Sequence, residues 1–143
     1  MRLSDEDCES LTAAGIETTG DDGWYEFTNA AGNPYASFDA EDQMLHATCQ
    51  LTFRAFPEGA DPDAFVALAL TEARAAFEDL DLPDWEAAGF QLLDLEDMSA
   101  DPSVVFIFAS LSRACANPAE LVAAAHFAAA RESATPALTV GGD

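Results

Sequence analysis

The stretch 44–56, MLHATCQLTFRAF, alternates apolar and polar residues along its length. Successive side chains of a β-strand point to opposite faces of a sheet, so this period of two predicts a strand with one buried and one wetter face. Two shorter aromatic runs, 24–28 and 35–38, precede it and are separated by the turn-rich NAAGNP. Together the three runs predict a three-stranded antiparallel meander. The predicted buried positions of the long strand are Leu45, Ala47, Cys49, Leu51 and Phe53.

Helix-start signals mark three further segments. Ser4 is an N-cap candidate followed by three acidic residues, and it predicts a first helix over about 4–14. The sequence 61–63, Asp-Pro-Asp, places proline at the first helical position and predicts an amphipathic second helix to about Asp79. A capping box with proline at 117–120 predicts a third helix to about Glu132.

A second hairpin is predicted after the second helix, because the apolar runs 90–95 and 103–112 are separated by the acidic EDMSADP. The order of elements is then α-β-β-β-α-β-β-α. Antiparallel strands with segregated helices indicate an α+β fold, a two-layer sandwich of one sheet backed by helices. We expect a single domain over 1–143, with a structured core over about 3–133 and a flexible C-terminal tail over 134–143.

The predicted strand 103–112 contains a run, VVFIF, that is apolar on both flanks. If Val105 and Ile107 face the helices, the other members of the run point to the opposite side and form an apolar patch of the kind that marks interfaces. Phe127 lies off the core stripe of the third helix and indicates a further contact. We expect either a partner or a second copy of the chain to cover this apolar patch. In the alternative, the first helix or the C-terminal tail crosses this face. The predicted partner-binding residues are Val104, Phe106, Phe108 and Phe127.

The charge balance is strongly acidic. The chain has 27 Asp and Glu against five Arg and no Lys, a formal net charge of −22. Such a surface repels phosphate, so we expect no direct binding to nucleic acid and none to a membrane. Three explanations of the acidity stay open: coding bias, adaptation to high salt, and an acidic surface for a basic partner. The candidate acidic surface comprises Asp79, Asp81, Asp84, Glu86, Glu96 and Asp97.

No motif for catalysis, metal binding or cofactor binding stands out. His46 lies on the opposite face of its strand from Cys49, which argues against a Cys–His nucleophile pair. His126 and the scattered cysteines lack zinc-site spacing. The acidic EDLDLPDWE lacks the ligand pattern of an EF-hand and is interpreted as a solvated loop. We therefore expect a non-enzyme with no catalytic residues, no metal and no cofactor.

The cysteines and the N-terminus bear on the compartment. Cys8, Cys49 and Cys115 are odd in number and widely spaced, which fits a reducing cytoplasm better than a disulfide framework. The first residues show no apolar signal region, and no run approaches the 18 or so apolar residues that span a bilayer. We expect a cytoplasmic protein.

The element order, the acidity and the size together resemble the type III secretion chaperones and the YbjN-like proteins that share their fold. The resemblance covers about 3–133 and is carried by the strand LHATCQLTFRAF, the helix PDAFVALALTEARAAFEDL, the hairpin FQLLDLEDMSADPSVVFIFASLSR and the helix PAELVAAAHFAAARE. The chain differs from the chaperones in its shorter first helix and in lacking a leucine-rich motif ahead of the meander. The resemblance implies a cytosolic, non-enzymatic homodimer that holds an extended segment of a client protein along apolar grooves.

Two classes of function follow from these features. The first is a chaperone-like protein-binding module whose apolar strand faces take the client while its acidic surface keeps it soluble. The second is an acidic inhibitor or decoy, such as an immunity protein for a basic toxin or a nucleic-acid mimic. Binding between opposite charges weakens sharply with salt and apolar binding weakens little, so salt dependence distinguishes the two.

Overall fold

The computed structural model describes residues 2–21, 23–55, 59, 61–97 and 104–134, with the side chains of Asp21, 52–55, Asp97, Val104 and 132–134 outside the described set. The strands are β1 Glu17–Asp21, β2 Trp24–Thr28, β3 Pro34–Asp39, β4 Met44–Ala55, β5 Gln91–Asp97 and β6 Val104–Ala114. The helices are α1 Asp5–Ala13, α2 Pro62–Leu80, α3 Leu82–Ala87 and α4 Pro118–Ala134.

The strands form one antiparallel sheet in the order β1-β2-β3-β4-β6-β5. β6 lies between β4 and β5, so the second hairpin joins the meander through the long pair β4–β6. The predicted α+β fold is confirmed, and the eight predicted elements occur in the predicted order. The structure adds two short elements that the sequence patterns did not indicate, β1 and α3.

β1 extends the meander by one strand, and its backbone at Gly20 lies unusually close to β2. Gly20 pairs with Tyr25 and has a φ of +122°, a conformation that residues with side chains rarely adopt. A Cβ atom at Gly20 would overlap the Trp24 carbonyl oxygen. The missing side chain is therefore what allows β1 and β2 to pair at this point.

α3 occupies most of the segment that the sequence suggested was a solvated acidic loop, and that interpretation is wrong for Leu82–Ala87. Pro83 lies in its first turn, where a missing N–H is not needed for an intrahelical hydrogen bond. Trp85 is fully buried and packs edge-on against Phe90, with ring centroids 4.9 Å apart. Burial of this large indole holds the acidic segment against the core.

The four described helices cover one face of the sheet. Along β4, His46 and Thr48 are exposed whereas Leu45, Ala47, Cys49 and Leu51 are buried. α2 and α4 both contact β4 and so lie over its buried face, and α1 packs against α4 and β1. The core is therefore a single layer between sheet and helices, as expected of a two-layer sandwich. Its sheet side includes Leu45, Ala47, Cys49 and Leu51 of β4 and Val105, Ile107, Ala109 and Leu111 of β6.

The helix starts predicted at Ser4 and Asn117 are confirmed. Ser4 Oγ accepts a hydrogen bond from the backbone N of Asp7 at 3.1 Å, and the Asp7 carboxylate accepts one from the backbone N of Ser4 at 3.0 Å. Asn117 Oδ1 accepts from the backbone N of Glu120 at 2.9 Å. The Glu120 carboxylate reaches one residue further back than a capping box requires and accepts from the N–H of Ala116.

A β-bulge interrupts the alternation predicted for β4. The register against β6 shifts between Gln50 and Thr52, which leaves Leu51 as the additional residue. Beyond the bulge Phe53 pairs with Phe106. The alternation is thus confirmed as far as Leu51, and the side chain of Phe53 is outside the described set.

Candidate protein-binding face

The side of the sheet opposite to the helices is called here the open face. Its cross-strand register places polar side chains in rows, since Ser37 of β3 pairs with Glu26 of β2 on one side and with His46 of β4 on the other. At the centre of the open face are His46, Thr48 and Gln50 of β4 and Phe106, Phe108 and Ser110 of β6.

Two phenyl rings lie together on the open face. Phe106 and Phe108 are half-buried, and their ring centroids are 4.5 Å apart at an interplanar angle of 33°. Val105 and Ile107 are fully buried, which confirms the prediction that they face the helices. Val104 belongs to the same strand, and its side chain is outside the described set. Adjacent half-buried rings on a sheet surface offer apolar area for a partner to cover.

The sequence left open that the first helix or the C-terminal tail crosses the open face. The first helix does not. α1 lies in the helical layer, where it contacts α4 and β1, and the backbone N of Leu3 just before it donates a hydrogen bond to Tyr25 Oη at 3.0 Å. Tyr25 is buried on the helix side of β2. The second alternative concerns the C-terminal tail; Ala134 ends α4, and 135–143 lie outside the described residues.

A groove of about 390 Å³ crosses the open face from β2 to β5, beside the two phenyl rings. Its size is at the lower end of the range, from about 300 Å³ upward, for pockets that hold small ligands. The bulge between Leu92 and Asp94 turns Leu93 outward, and this exposed side chain contributes to the groove wall. The polar lining includes Glu26, His46, Thr48, Asp94, Glu96 and Ser110.

The groove is negatively charged. Three carboxylates line it, and none of the described lining residues is Arg or Lys. Glu96 accepts a hydrogen bond from Ser110 Oγ at 3.4 Å. Asp94 accepts from the backbone N–H of the next residue at 2.8 Å and lies 3.7 Å from the Arg74 guanidinium. Glu26 is half-buried and makes no side-chain hydrogen bond or ion pair within the described ranges. Carboxylates of one sign in a concave surface focus a negative potential there.

Phe127, the fourth predicted partner-binding residue, lies in the helical layer rather than on the open face. It is half-buried, packs edge-on against Trp85 at 5.3 Å and stacks on Phe90 at 5.9 Å between ring centroids. The contact that its position off the core stripe indicated is thus made within the protomer. The structure does not bring Phe127 together with Phe106 and Phe108, and its role in binding stays a prediction.

The structure divides the predicted acidic surface into two parts. At the junction of α2 and α3, Asp81 and Asp84 both form ion pairs with Arg131 of α4. Asp79 and Glu86 are exposed in the same region. Two of these four carboxylates therefore attach α4 to α3, and the region is less acidic than its sequence suggests.

The other two predicted acidic residues, Glu96 and Asp97, lie on β5. Glu96 lines the groove, and the side chain of Asp97 is outside the described set. Glu26 and Asp94, which complete the acidic lining, were not among the predicted site residues. Glu26 is the polar position between two buried aromatics of β2, a pattern that indicates a wet strand face. That Glu26 and Asp94 line one groove depends on long-range strand order, which a local pattern does not contain.

The histidines and cysteines form no described catalytic pair or metal cluster. His46 and Cys49 lie on opposite faces of β4, as predicted. His126 Nε2 lies 3.1 Å from Ser10 Oγ, a contact between α4 and α1. Burial raises the pKa of the Cys115 thiol above its ordinary value of 9.0, which keeps it protonated and poorly nucleophilic. Across the described ranges, no group of three or more His, Cys, Asp or Glu is arranged to hold a metal ion.

None of the helices in the described part of the chain has the length and apolar character needed to cross a bilayer. The chain matches no protein-family model, no curated protein and no solved structure. Its resemblance to the type III secretion chaperones and YbjN-like proteins accordingly stays a prediction.

Proposed function

We propose that this protein is a non-enzymatic protein-binding module that holds a segment of a client protein on the open face. The supporting observation is the pair Phe106–Phe108, two half-buried rings on the side of the sheet away from the described helices. Burial of apolar surface contributes roughly 25 cal/mol per Å² before the costs of association. Aromatic anchors in such a patch commonly supply much of the binding free energy.

The groove gives the client a second contact region next to the rings. Phe108 and Ser110 are two residues apart on β6, a separation of about 7 Å along a strand. Ser110 pairs with Thr48 and lines the groove. A segment that follows the β4–β6 pair would therefore contact the apolar rings first and the polar groove next.

The edges of the sheet suit a client strand less well than the open face. β1 and β5 are the two edge strands. β5 carries the bulge at Leu93 together with acidic residues, and β1 is five residues long and contains Gly20. Bulges, charges and short length are features that prevent a sheet edge from pairing with another strand. Docking onto the face is therefore the favoured mode.

The resemblance adds three elements to the proposal: a chaperone-like adaptor role, a cytoplasmic location and a homodimeric state. Each has its own measurement. The adaptor role predicts that a bound client segment is protected from proteolysis. If the protein is a homodimer, light scattering should give twice the mass of one chain, which is 15.1 kDa.

The proposal is tested with peptides of about twelve residues selected from a random displayed library on the full-length protein. Their affinities are then measured for Phe106→Ser/Phe108→Ser and for the matched control Leu68→Ser/Leu80→Ser. Leu68 and Leu80 are exposed on α2, so the control removes apolar surface from the helical layer. We expect the Phe variant to lose about tenfold or more in affinity and the control to bind like wild type.

Circular dichroism shows whether each variant is folded, and Phe108→Leu provides a milder change if the double variant is not. Equal affinities of the Phe variant and the control would contradict the proposal. Binding that ignores the two phenylalanines but disappears near about 0.5 M salt would instead support the acidic inhibitor or decoy.

A further inference from the structure

We infer that the client segment carries Arg or Lys, and that its cationic groups bind in the groove against Glu26, Asp94 and Glu96. The inference rests on the proposed function and adds the chemical class of the client. The open face then recognises two features in one segment: an apolar side chain on Phe106 and Phe108, and a positive charge in the groove.

The local charges support a cationic occupant. Glu26 is half-buried with no ion pair or hydrogen bond of its side chain in the described structure, so its charge is uncompensated. Glu96 has one long hydrogen bond, from the neutral hydroxyl of Ser110. A half-buried carboxylate without a cation, as at Glu26, costs desolvation free energy, and a guanidinium or ammonium group would offset that cost. Asp94 and Glu96 are exposed carboxylates that the same group can contact. Among the three groove carboxylates Arg74 contacts only Asp94, at 3.7 Å, and it also forms an ion pair with Glu78. Glu26 and Glu96 therefore have no cationic partner in the described part of the chain.

A second copy of this chain is a poor occupant of the same face. A two-fold dimer places the same surface patch on both sides of the interface. Two copies of the open face would therefore bury both sets of Glu26, Asp94 and Glu96 in one interface, and the described groove lining contains no Arg or Lys to pair with them. Burying like charges against one another is unfavourable, so a homodimer is expected to use a different surface.

The chain's own C-terminal tail does not supply the missing charge either. Residues 135–143 have the sequence TPALTVGGD, which contains one acid and neither Arg nor Lys. The tail offers apolar side chains for Phe106 and Phe108 but nothing complementary to the groove. A basic client segment is the occupant that matches both parts of the open face.

The experiment uses three dye-labelled peptides of about twelve residues that alternate Leu with Arg, Leu with Gln or Leu with Glu. Fluorescence anisotropy gives their dissociation constants for the full-length protein in about 0.1 M salt. The groove variant is Glu26→Gln/Asp94→Asn/Glu96→Gln, in which the amide oxygens keep the hydrogen bonds that Asp94 and Glu96 accept. The control is Glu6→Gln/Glu9→Gln/Asp63→Asn, which removes the same charge from exposed positions of α1 and α2.

We expect the Leu–Arg peptide to bind wild type about tenfold or more tightly than the Leu–Gln peptide. The groove variant should reduce this preference to about twofold, and the control should keep most of it. An equal loss in both variants would mean that only net charge attracts the peptide, and it would overturn the inference.

The outcomes for inference and proposed function are separable. If the Leu–Gln peptide binds wild type as tightly as the Leu–Arg peptide and loses affinity in Phe106→Ser/Phe108→Ser, the inference fails and the proposed function stands. If the Leu–Arg preference depends on the groove but no affinity depends on the two phenylalanines, the proposed function fails. If none of the three peptides binds wild type, the inference fails.

Discussion

The rings of Phe106 and Phe108 lie 4.5 Å apart on the open face, while Ile107 between them is fully buried under the helices. This part of β6 is therefore apolar on both of its faces but covered by helices on one. In a half-wetted antiparallel sheet the outward positions are ordinarily polar. The two phenylalanines are the clearest departure from that pattern, and the account of function depends on them.

The two faces of β6 should differ in their contribution to stability. Ile107→Ala removes buried methyl groups and leaves a cavity, so we expect it to lower the free energy of unfolding by about 2–5 kcal/mol. Phe108→Ala removes a half-buried ring, and we expect a loss below about 1.5 kcal/mol. Urea denaturation measures both. A loss at Phe108 equal to that at Ile107 would indicate that the ring belongs to the folding core rather than to a binding surface.

Gly20 should be intolerant of any side chain. Gly20→Ala places a Cβ atom where the Trp24 carbonyl oxygen lies, and we expect it to separate β1 from β2 and lower stability by more than about 2 kcal/mol. Gly32→Ala is the matched control. Gly32 also has a positive φ, but a Cβ atom added there would meet no described atom within 4 Å. Its cost should be only the conformational one, about 1–2 kcal/mol. Thermal unfolding measures the loss of stability in both variants. A smaller loss in Gly20→Ala than in Gly32→Ala would be inconsistent with the pairing of β1 and β2.

The three thiols should differ in accessibility. Cys8 is half-buried beside an open depression along α1, whereas Cys49 and Cys115 are fully buried. We expect iodoacetamide to modify Cys8 in the native protein and to reach the other two only after unfolding, as measured by mass spectrometry. Rapid native labelling of Cys49 or Cys115 would show that the core opens more readily than its packing indicates.

Cys115 should also make stability depend on pH in the alkaline range. Burial raises the pKa of its thiol above 9.0, with Glu120 adding to the rise and Arg113 opposing it. The unfolded chain then loses this proton at a lower pH than the folded chain does. The free energy of unfolding should therefore fall as the pH rises above about 9, and the fall should be shallower in Cys115→Ala. Identical slopes for wild type and variant would contradict this assignment.

The two tryptophans should contribute very differently to folding. Trp85 is fully buried between Phe90 and Phe127, and we expect Trp85→Ala to cost about 3–5 kcal/mol. Trp85→Phe should cost far less, because it keeps an aromatic ring and removes an indole N–H that has no hydrogen-bond partner. Trp24 is 45% exposed, and Trp24→Ala should cost under about 1 kcal/mol. Chemical denaturation of the three variants tests this order.

Local sequence patterns predicted the layers of the fold because its helix starts and strand alternation are local properties. The capping box at Ser4 and the alternation of β4 up to Leu51 are examples. The signals for α3 were present in Asp81 and Pro83, which resemble the acid–proline start of α2 with Leu82 between them, but the acidity of the segment masked them. β1 was not predicted because a glycine at position 20 indicates a turn when the sequence is considered alone. Its place in a strand becomes evident only from the close contact between its backbone and the Trp24 carbonyl oxygen.

The candidate site was only partly predictable for a different reason. The orientation of Phe106 and Phe108 follows from the period of a single strand. The groove depends on which strands are neighbours, since Glu26 is on β2 and Asp94 is on β5, with three strands between them. Such long-range order is decided by packing of the whole sheet.

Salt separates the explanations of the acidity. The repulsion among the 27 acids is screened over about 10 Å at 0.1 M salt and about 3 Å at 1 M, so stability should rise with sodium chloride. We expect the isolated protein to be folded already at about 0.15 M by circular dichroism. A chain that folds only near molar salt would identify salt adaptation as the main cause of the charge and would weaken both functional interpretations.

The most direct test of the central claim is amide chemical-shift mapping of the labelled protein with the Leu–Arg peptide. The account predicts the largest shift changes at Thr48, Gln50, Phe108 and Ser110 on the open face, with small changes along the outer side of α2. Changes centred on α2 around Leu68 and Glu72, with β4 and β6 unaffected, would contradict it.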